Sequence, residues 1–499
     1  MNLYDLFTAA ARPDAPFLET PDGAVMRYRD LDAATARLAN ALTARGVAPG
    51  SRVFIQAEKS PTALLLYLAA LRAGAVWLPL NTAYTATEAA WFVADAEPAL
   101  VVCAPENQRV FGIMPGAGAV DTLDAEGRGS ITELAAGQAD SFATVERDDD
   151  DLAAILYTSG TTGRSKGAML SHGNLASNAR TLVEAWRFTA EDVLIHALPI
   201  FHVHGLFVAL HTVMASGASM LFRPKFDPAE VVALMRRATV LMGVPTFYTR
   251  LLDQPGLDRQ AAAGMRLFVS GSAPLLADTH RAFRERTGHA ILERYGMTET
   301  GMNTSNPYEG ERRPGTVGPA LPGVELRITD PETGKPLPGG EIGMIEVRGP
   351  NVFKGYWRMP DKTAAEFRAD GFFITGDLGL IDTDGYVAIV GRGKDLIISG
   401  GLNIYPKEVE AGIDAIEGVI ESAVVGAPHP DFGETVVAFV VAADPGLDEA
   451  AVLRALAPRL ARFKQPRRVE FVDALPRNAM GKVQKAELRE RVKDAFRTA

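Results

Sequence analysis

Residues 157–167 read Tyr-Thr-Ser-Gly-Thr-Thr-Gly-Arg-Ser-Lys-Gly, a set of side chains suited to holding an anion. Gly160 and Gly163 let backbone N–H groups turn toward a phosphate, and Thr158, Ser159, Thr161, Thr162 and Lys166 add donors and a charge. The spacing is not that of a Walker loop: Ser165 stands where the second glycine belongs, and Gly167 follows Lys166 in place of a hydroxyl. Further on, Ser270-Gly-Ser272-Ala273-Pro274 offers backbone and hydroxyls at a strand end, where open α/β sheets place ligands. Glu293-Arg294-Tyr295-Gly296-Met-Thr298-Glu299 brings an aromatic face, a hydroxyl and a carboxylate together, and Thr375-Gly-Asp377 places a carboxylate at a strand end, suited to ribose hydroxyls. Near the carboxyl end, Pro476-Arg-Asn-Ala-Met-Gly-Lys482 presents a lysine after glycine. Taken singly, each has an ordinary alternative: a flexible turn, solvated carboxylates, a core aromatic, a surface lysine.

Alternating elements must position these groups. Leu31, Ala34, Leu38 and Leu42 recur at helical spacing up to Gly46, 52–56 reads as a strand, and Ser60-Pro61 suits the start of a helix running to about Gly74. Strands follow at 76–80 and 99–104, with a helix between them that Thr87 can cap, and the pattern resumes at 152–156, ahead of a helix beginning near Asn174. This is an α/β class with doubly wound, largely parallel sheets. From about 320 to 391 short strands (325–329, 343–347, 371–375, 385–390) and turns predict a small β-barrel-like subdomain, closing a large N-terminal domain over 1–391. Residues 392–499 predict a small α+β domain with strands at 423–426 and 436–442, a helix at 449–462 and a last one from Lys485.

The 499 residues are 47% hydrophobic and 22% charged, a globular composition long enough for several cores. A net charge of −10 argues against nucleic acid as partner, because neutralising phosphates takes a basic excess. The single cysteine, Cys103, excludes an internal disulfide and a thiolate metal cluster and suits a reducing, cytoplasmic setting. The opening Met-Asn-Leu-Tyr-Asp lacks the pattern of a secretory signal. Residues 194–222 carry no Asp, Glu, Lys or Arg but hold four histidines and Pro199, which predicts buried core beside a site and no stable membrane association.

Jointly, the loop with Tyr-Gly-Met-Thr-Glu, Gly-Asp377-Leu, Gly391-Arg392-Gly-Lys394-Asp395 and the terminal Gly-Lys482 resembles the adenylate-forming superfamily: acyl-CoA synthetases, luciferase and adenylation domains. The resemblance runs from Leu31 to about Arg489. It implies that Thr158, Ser159, Gly160, Thr161, Thr162, Gly163 and Lys166 hold the β and γ phosphates of ATP. Ser272, Ala273 and Pro274 would form the adenine edge, with Tyr295 and Gly296 against the base. Thr298 would touch the α phosphate, Glu299 would bind Mg²⁺, Asp377 the ribose, and Arg392 the ribose or phosphate. Lys482 would bridge the attacking carboxylate and the α phosphate, and its acetylation is a candidate control point. In that family a C-terminal domain rotates between half-reactions, here about Lys394. Gly401 would line the tunnel for coenzyme A; a plain glycine turn is the alternative.

Arg294 stands where relatives often carry a neutral or small residue. A buried unpaired guanidinium is costly, so a site that keeps one expects a second carboxylate on the substrate. With His202, His204, Ser270, Ser272 and the run Met302-Asn-Thr-Ser-Asn306, the set is similar to that of malonyl-CoA synthetases, with methylmalonate a second candidate. Alternatives are a salt bridge from Arg294 to Glu293, and metal ligation by His202 and His204, which alternation would place on one face of a strand or extended loop. Others are a medium-chain or aryl acyl-CoA synthetase, an adenylation domain serving a carrier protein, and a non-catalytic ATP sensor. The chain ends at Ala499 with no carrier module, which favours CoA. A monomer or weak homo-oligomer is expected.

Overall fold

The computed structural model describes residues 1–158, 165–399, 402–478 and 481–496, the side chain of Asn403 excepted. The chain forms two compact units, one of residues 1–326 and 347–373, the other of 327–346 and 374–499. The β-rich strands beyond 374 therefore group with the C-terminal chain, whereas the sequence reading draws its boundary after 391.

The first unit is built on two sheets. One runs Ala119–Thr122, Leu100–Cys103, Arg52–Gln56, Val76–Pro79, Leu152–Thr158, Lys166–Ser171. All pairings are parallel except the last, an antiparallel hairpin. The strand after the 157–167 loop is a correction: the chain does not pass from loop to helix, and Ser171 instead caps the helix His172–Ala185 after that strand. The other sheet has eight strands, ordered Gly301–Ser305, Leu292–Met297, Leu267–Ser270, Val240–Gly243, Val193–His196, Ser219–Phe222, Pro16–Glu19, Val25–Arg27. It too is parallel in its middle and antiparallel at its ends. Parallel strands need helical crossovers, and these cover both faces.

Local chemistry explains the helices. Ser60 accepts from the Ala63 N–H and Pro61 opens the helix Pro61–Arg72, which is buried all round, as a helix apolar on every side must be. The next helix, Ala86–Ala96, is capped by Thr85 rather than Thr87, because Glu88 returns a bond to the Thr85 N–H and closes a reciprocal box. Cys103 is fully buried, its thiol 3.8 Å from the Asp121 carbonyl and its pKa pushed up to about 12, chiefly by burial. Among the described residues no helix is long and apolar enough to cross a membrane. Residues 194–222 form two inner strands and a π-helix, His204–Leu210, continued by the helix His211–Ser216. His202 and His204 therefore do not alternate on a strand; His204 opens a wide helical turn.

The second unit holds most of a four-stranded sheet, ordered Glu325–Thr329, Gly343–Arg348, Phe373–Ile381, Val387–Arg392. Asp377 lies in the middle of its strand, not at an end as the sequence predicts, because pairing continues through Ile381. A five-stranded sheet follows, and its strand Gly433–Ala442 alternates strictly. Val436, Ala438 and Val440 pack with Val409, Ile413 and Leu456, and Val437, Phe439 and Val441 pack with Leu488 and Val492. The helix expected over 449–462 stops at Leu456, two residues before Pro458, which has no N–H to donate back to the Arg454 carbonyl.

Candidate functional site

Thr158 ends one strand of the hairpin and Lys166 begins the other, as register partners. Ser159, Gly160, Thr161, Thr162 and Gly163 lie outside the described residues. The Thr158 hydroxyl is 3.4 Å from Glu299 Oε1, and the Tyr356 hydroxyl lies between two carboxylates, 2.6 Å from Glu366 Oε2 and 3.1 Å from Glu299 Oε1. Burial and both carboxylates raise the Tyr356 pKa, so the phenol keeps its proton. Lys166 Nζ lies 3.2 Å from Glu366 Oε1 and 4.2 Å from the centre of the Tyr356 ring. Burial alone would raise the Glu366 pKa, but Lys362, Tyr356 and Lys166 hold it below the usual carboxylate value. Tyr356 and Glu366 are functional neighbours that sequence reasoning missed, since nothing local to Lys166 points 200 residues downstream. No group of three or more His, Cys, Asp or Glu among the described residues is placed to hold a metal; His202 and His204 form no such centre.

The segment 270–274 leaves the strand Leu267–Ser270 ahead of the helix Ala277–Thr287. Ser272 sits at φ +71°, a left-handed conformation uncommon for a side-chain-bearing residue and typical of places where function dictates the backbone. Ala273 is half-buried and Pro274 exposed. Tyr295 and Gly296 lie on the strand Leu292–Met297, Thr298 and Glu299 in the turn that follows. Gly296 is fixed by packing, because a Cβ there would stand 2.0 Å from the Gly301 carbonyl oxygen.

Arg294 is 3% exposed, and its Nε and Nη2 have no hydrogen-bond partner. It is not bridged to Glu293, whose Oε1 accepts from the Leu275 N–H; neighbours on a strand face opposite ways. The guanidinium lies against Gly271, where a Cβ would come within 2.5 Å of Arg294 Cζ. Burial pushes its pKa down to about 9, still charged at neutral pH, with Tyr248 nearby. Ser270 Oγ and His204 Nε2 are likewise buried and unpartnered, and His204 Nδ1 is 3.3 Å from Ser272 Oγ. Burial, and then the Arg294 charge, hold His204 neutral. His202 is half-buried, its Nδ1 3.4 Å from the His204 N–H. Each unsatisfied buried group costs about 1–3 kcal/mol. Three such groups on adjoining elements, Arg294, Ser270 and His204, one of them charged, describe a receptor for an anion.

The second unit carries its own constellation. Arg392 Nε is 2.7 Å from Asp377 Oδ1, and the two residues are register partners. Asp377 is buried and takes a backbone bond from its N–H to Thr375 Oγ1 at 3.1 Å. Lys394 stands in the short turn Gly393–Asp395, its pKa lowered mainly by burial. The Lys482 residue is exposed as a whole, yet its ammonium lies within electrostatic reach of Arg392, Asp377, Lys394 and Asp395. Desolvation at that end and then Arg392 lower its pKa. The Asn478 side chain accepts from the Lys482 N–H at 3.0 Å, and Arg477 donates to the Gly481 carbonyl at 2.5 Å. Gly401 lies outside the described residues.

Residues 7–357 match the AMP-binding enzyme family, and residues 408–482 match the AMP-binding enzyme C-terminal domain. A feruloyl-CoA synthase of Amycolatopsis sp is 36% identical over 479 residues, spanning 94% of each chain. A malonate–CoA ligase of Arabidopsis thaliana is 36% identical over 480 residues, spanning 89% of this chain and 78% of its own. Among solved structures, ATP-bound MatB from Rhodopseudomonas palustris superposes with a TM-score of 0.98 at 62% identity, over 99% of each chain.

Proposed function

The chain belongs to the AMP-binding enzyme family, and we propose that it is an ATP-dependent acid–thiol ligase that converts malonate to malonyl-CoA, with release of AMP and pyrophosphate. Relatives of equal identity are named for an aromatic acid and for malonate, so kinship alone does not choose the acid. The observation that does is Arg294, buried and charged with Nε and Nη2 both free, beside the unpartnered Ser270 hydroxyl and His204 Nε2. An aromatic or alkyl acid would leave that guanidinium unmatched, whereas the far carboxylate of malonate, or of methylmalonate, accepts from it in a bidentate pair.

In the first half-reaction a carboxylate oxygen of malonate forms a bond to the α phosphorus of ATP as the bond to pyrophosphate breaks. A carboxylate is already deprotonated at neutral pH, so no general base is needed. Two anions must meet, and Lys482 supplies the cation that stabilises their crowded transition state. Thr158 and Lys166 bind the phosphates, Ser272 to Pro274 and Tyr295 the adenine, Thr298 the α phosphate, and Asp377 with Arg392 the ribose. A bound Mg²⁺ would neutralise the departing pyrophosphate. Glu299 is the residue to hold it, an oxygen donor of the kind this hard cation takes together with substrate phosphates. In the second half-reaction the CoA sulfur bonds to the acyl carbon, AMP leaves and the thiol proton passes to solvent. We assign the hinge between the two steps to Lys394 and the thiol tunnel to Gly401, in a cytoplasmic monomer or weak homo-oligomer.

Initial rates with malonate, methylmalonate, acetate, octanoate and coumarate, each with ATP, Mg²⁺ and CoA, test the reading. Malonate should lead, and octanoate or coumarate outrunning it would overturn the diacid assignment. Replacing CoA by a purified carrier protein should stop thioester formation.

A further inference from the structure

Lys59 is far in sequence from every residue of the acyl pocket, and it is buried at 9% exposure. Its Nζ stands 3.0 Å from His196 Nδ1, 2.9 Å from the His196 carbonyl and 2.6 Å from the Arg223 carbonyl. Burial and then the Arg223 charge push its pKa down, yet three acceptors around one nitrogen call for three N–H bonds, and the ammonium form is the one that supplies them. His196 Nε2 lies 2.9 Å from the Gly205 carbonyl oxygen. A carbonyl only accepts, so Nε2 carries the ring hydrogen and Nδ1 presents its lone pair to Lys59. The buried lysine thereby selects the tautomer with which His196 grips the backbone.

What it grips is the first turn of the π-helix His204–Leu210. A π turn persists only where surroundings hold it against relaxation to an α-helix. Here Gly205 is held between the His196 ring and the Pro199 carbonyl, from which a Cβ on Gly205 would be only 2.0 Å away. Losing one residue from the wide turn would rotate His204 by about 100° around the helix axis, away from the Ser272 hydroxyl that now lies 3.3 Å from its Nδ1.

We infer that Lys59 and His196 are positioning residues for the acyl pocket: acting through the Gly205 carbonyl, they keep the π-helical register that aims His204 at the acid. The inference rests on the proposed acyl pocket and does not depend on which acid fills it.

Steady-state kinetics on Lys59→Met, His196→Leu and His196→Gln test it. Wild type is first assayed on the acid panel, so a preference for an acid other than malonate overturns the proposed function alone, and the preferred acid is carried forward. Lys59→Met and His196→Leu should raise KM for that acid about tenfold or more with KM for ATP within about twofold of wild type, the signature of a lost acid-side contact. His196→Gln, whose amide can both accept from Lys59 and donate to Gly205, should restore the acid KM to within about threefold. If the apolar variants do not fold, Lys59→Gln, which keeps a polar group but has fewer donors, carries the same expectation. Acid and ATP KM rising together, or neither changing, would overturn the inference.

Discussion

The proposed function makes Arg294 the residue on which substrate choice turns. Arg294→Ala should raise KM for malonate by roughly 100-fold or more while KM for ATP stays within about twofold, since losing one partner of a buried charge pair costs about 2–5 kcal/mol. Steady-state kinetics with each substrate varied in turn would show it, and equal rises in both KM values would count against the assignment. Arg294→Lys should recover little, because a point charge cannot reproduce two parallel N–H bonds. Gly271→Ala probes the same contact from its other side, since the added methyl must displace a guanidinium whose Cζ it would meet at 2.5 Å. It should weaken malonate binding without touching a charge. Arg294 was legible in the sequence because it is an odd residue inside a dense motif. Gly271, Tyr356 and Glu366 were not, because their roles come from contacts across the fold: Glu366 meets Lys166 from 200 positions away and Gly271 meets Arg294 across a strand pair.

At the scale of elements, the hairpin Leu292–Met297 with Gly301–Ser305 carries Arg294, Tyr295 and Gly296 and turns through Thr298 and Glu299. A Cβ at Gly296 would meet the Gly301 carbonyl oxygen at 2.0 Å, so Gly296→Ala should lower the melting temperature by several degrees, since about 1–3 kcal/mol of overpacking acts on a rigid pair of strands. An unchanged melting curve would mean that the hairpin yields. Where an element is governed by its own residues the sequence was readable: Ser60-Pro61 starts its helix, and the unbroken apolar run at 436–442 is a strand buried on both faces. Where competition decides, it was not. Thr85 wins the cap over Thr87 because Glu88 reciprocates, Pro458 shortens a helix that periodicity extends, and the π turn at His204 leaves no local signature.

At the scale of the whole molecule, Lys482 and Lys166 lie on separate compact units, and under the proposed chemistry the two half-reactions should separate under mutation. Lys482→Ala should abolish malonate-dependent pyrophosphate release yet leave thioester formation from supplied malonyl-AMP within about tenfold of wild type, because only the first transition state gathers two anions. Equal loss of both steps would contradict that division. The second unit also carries a pH dependence. Asp414 has its pKa pushed up to about 7, first by burial and then by Glu410 and Glu421, with the Ser422 hydroxyl, at 2.7 Å, and the Ser422 backbone N–H opposing. Lys485 pairs with Glu410 and Arg477 with Glu421, so neither cation answers Asp414 directly. A raised folded pKa gives stability that is complete below about pH 4 and is lost as pH rises through 7. Asp414→Asn should therefore leave stability nearly unchanged at pH 4 and raise it by roughly 1–4 kcal/mol at pH 8, as read by urea denaturation at both pH values. A gain of equal size at both would refute the linkage.

The lone thiol, at position 103, has a bearing on the proposed reaction. A mixed anhydride with AMP is an acylating agent, and the nucleophile that would intercept it soonest is a thiolate. The chain's only cysteine is sealed in a sheet, fully covered and with its proton held up to about pH 12. An activated acyl group therefore finds no accessible protein thiol to modify, and the incoming cosubstrate supplies the thiol it meets.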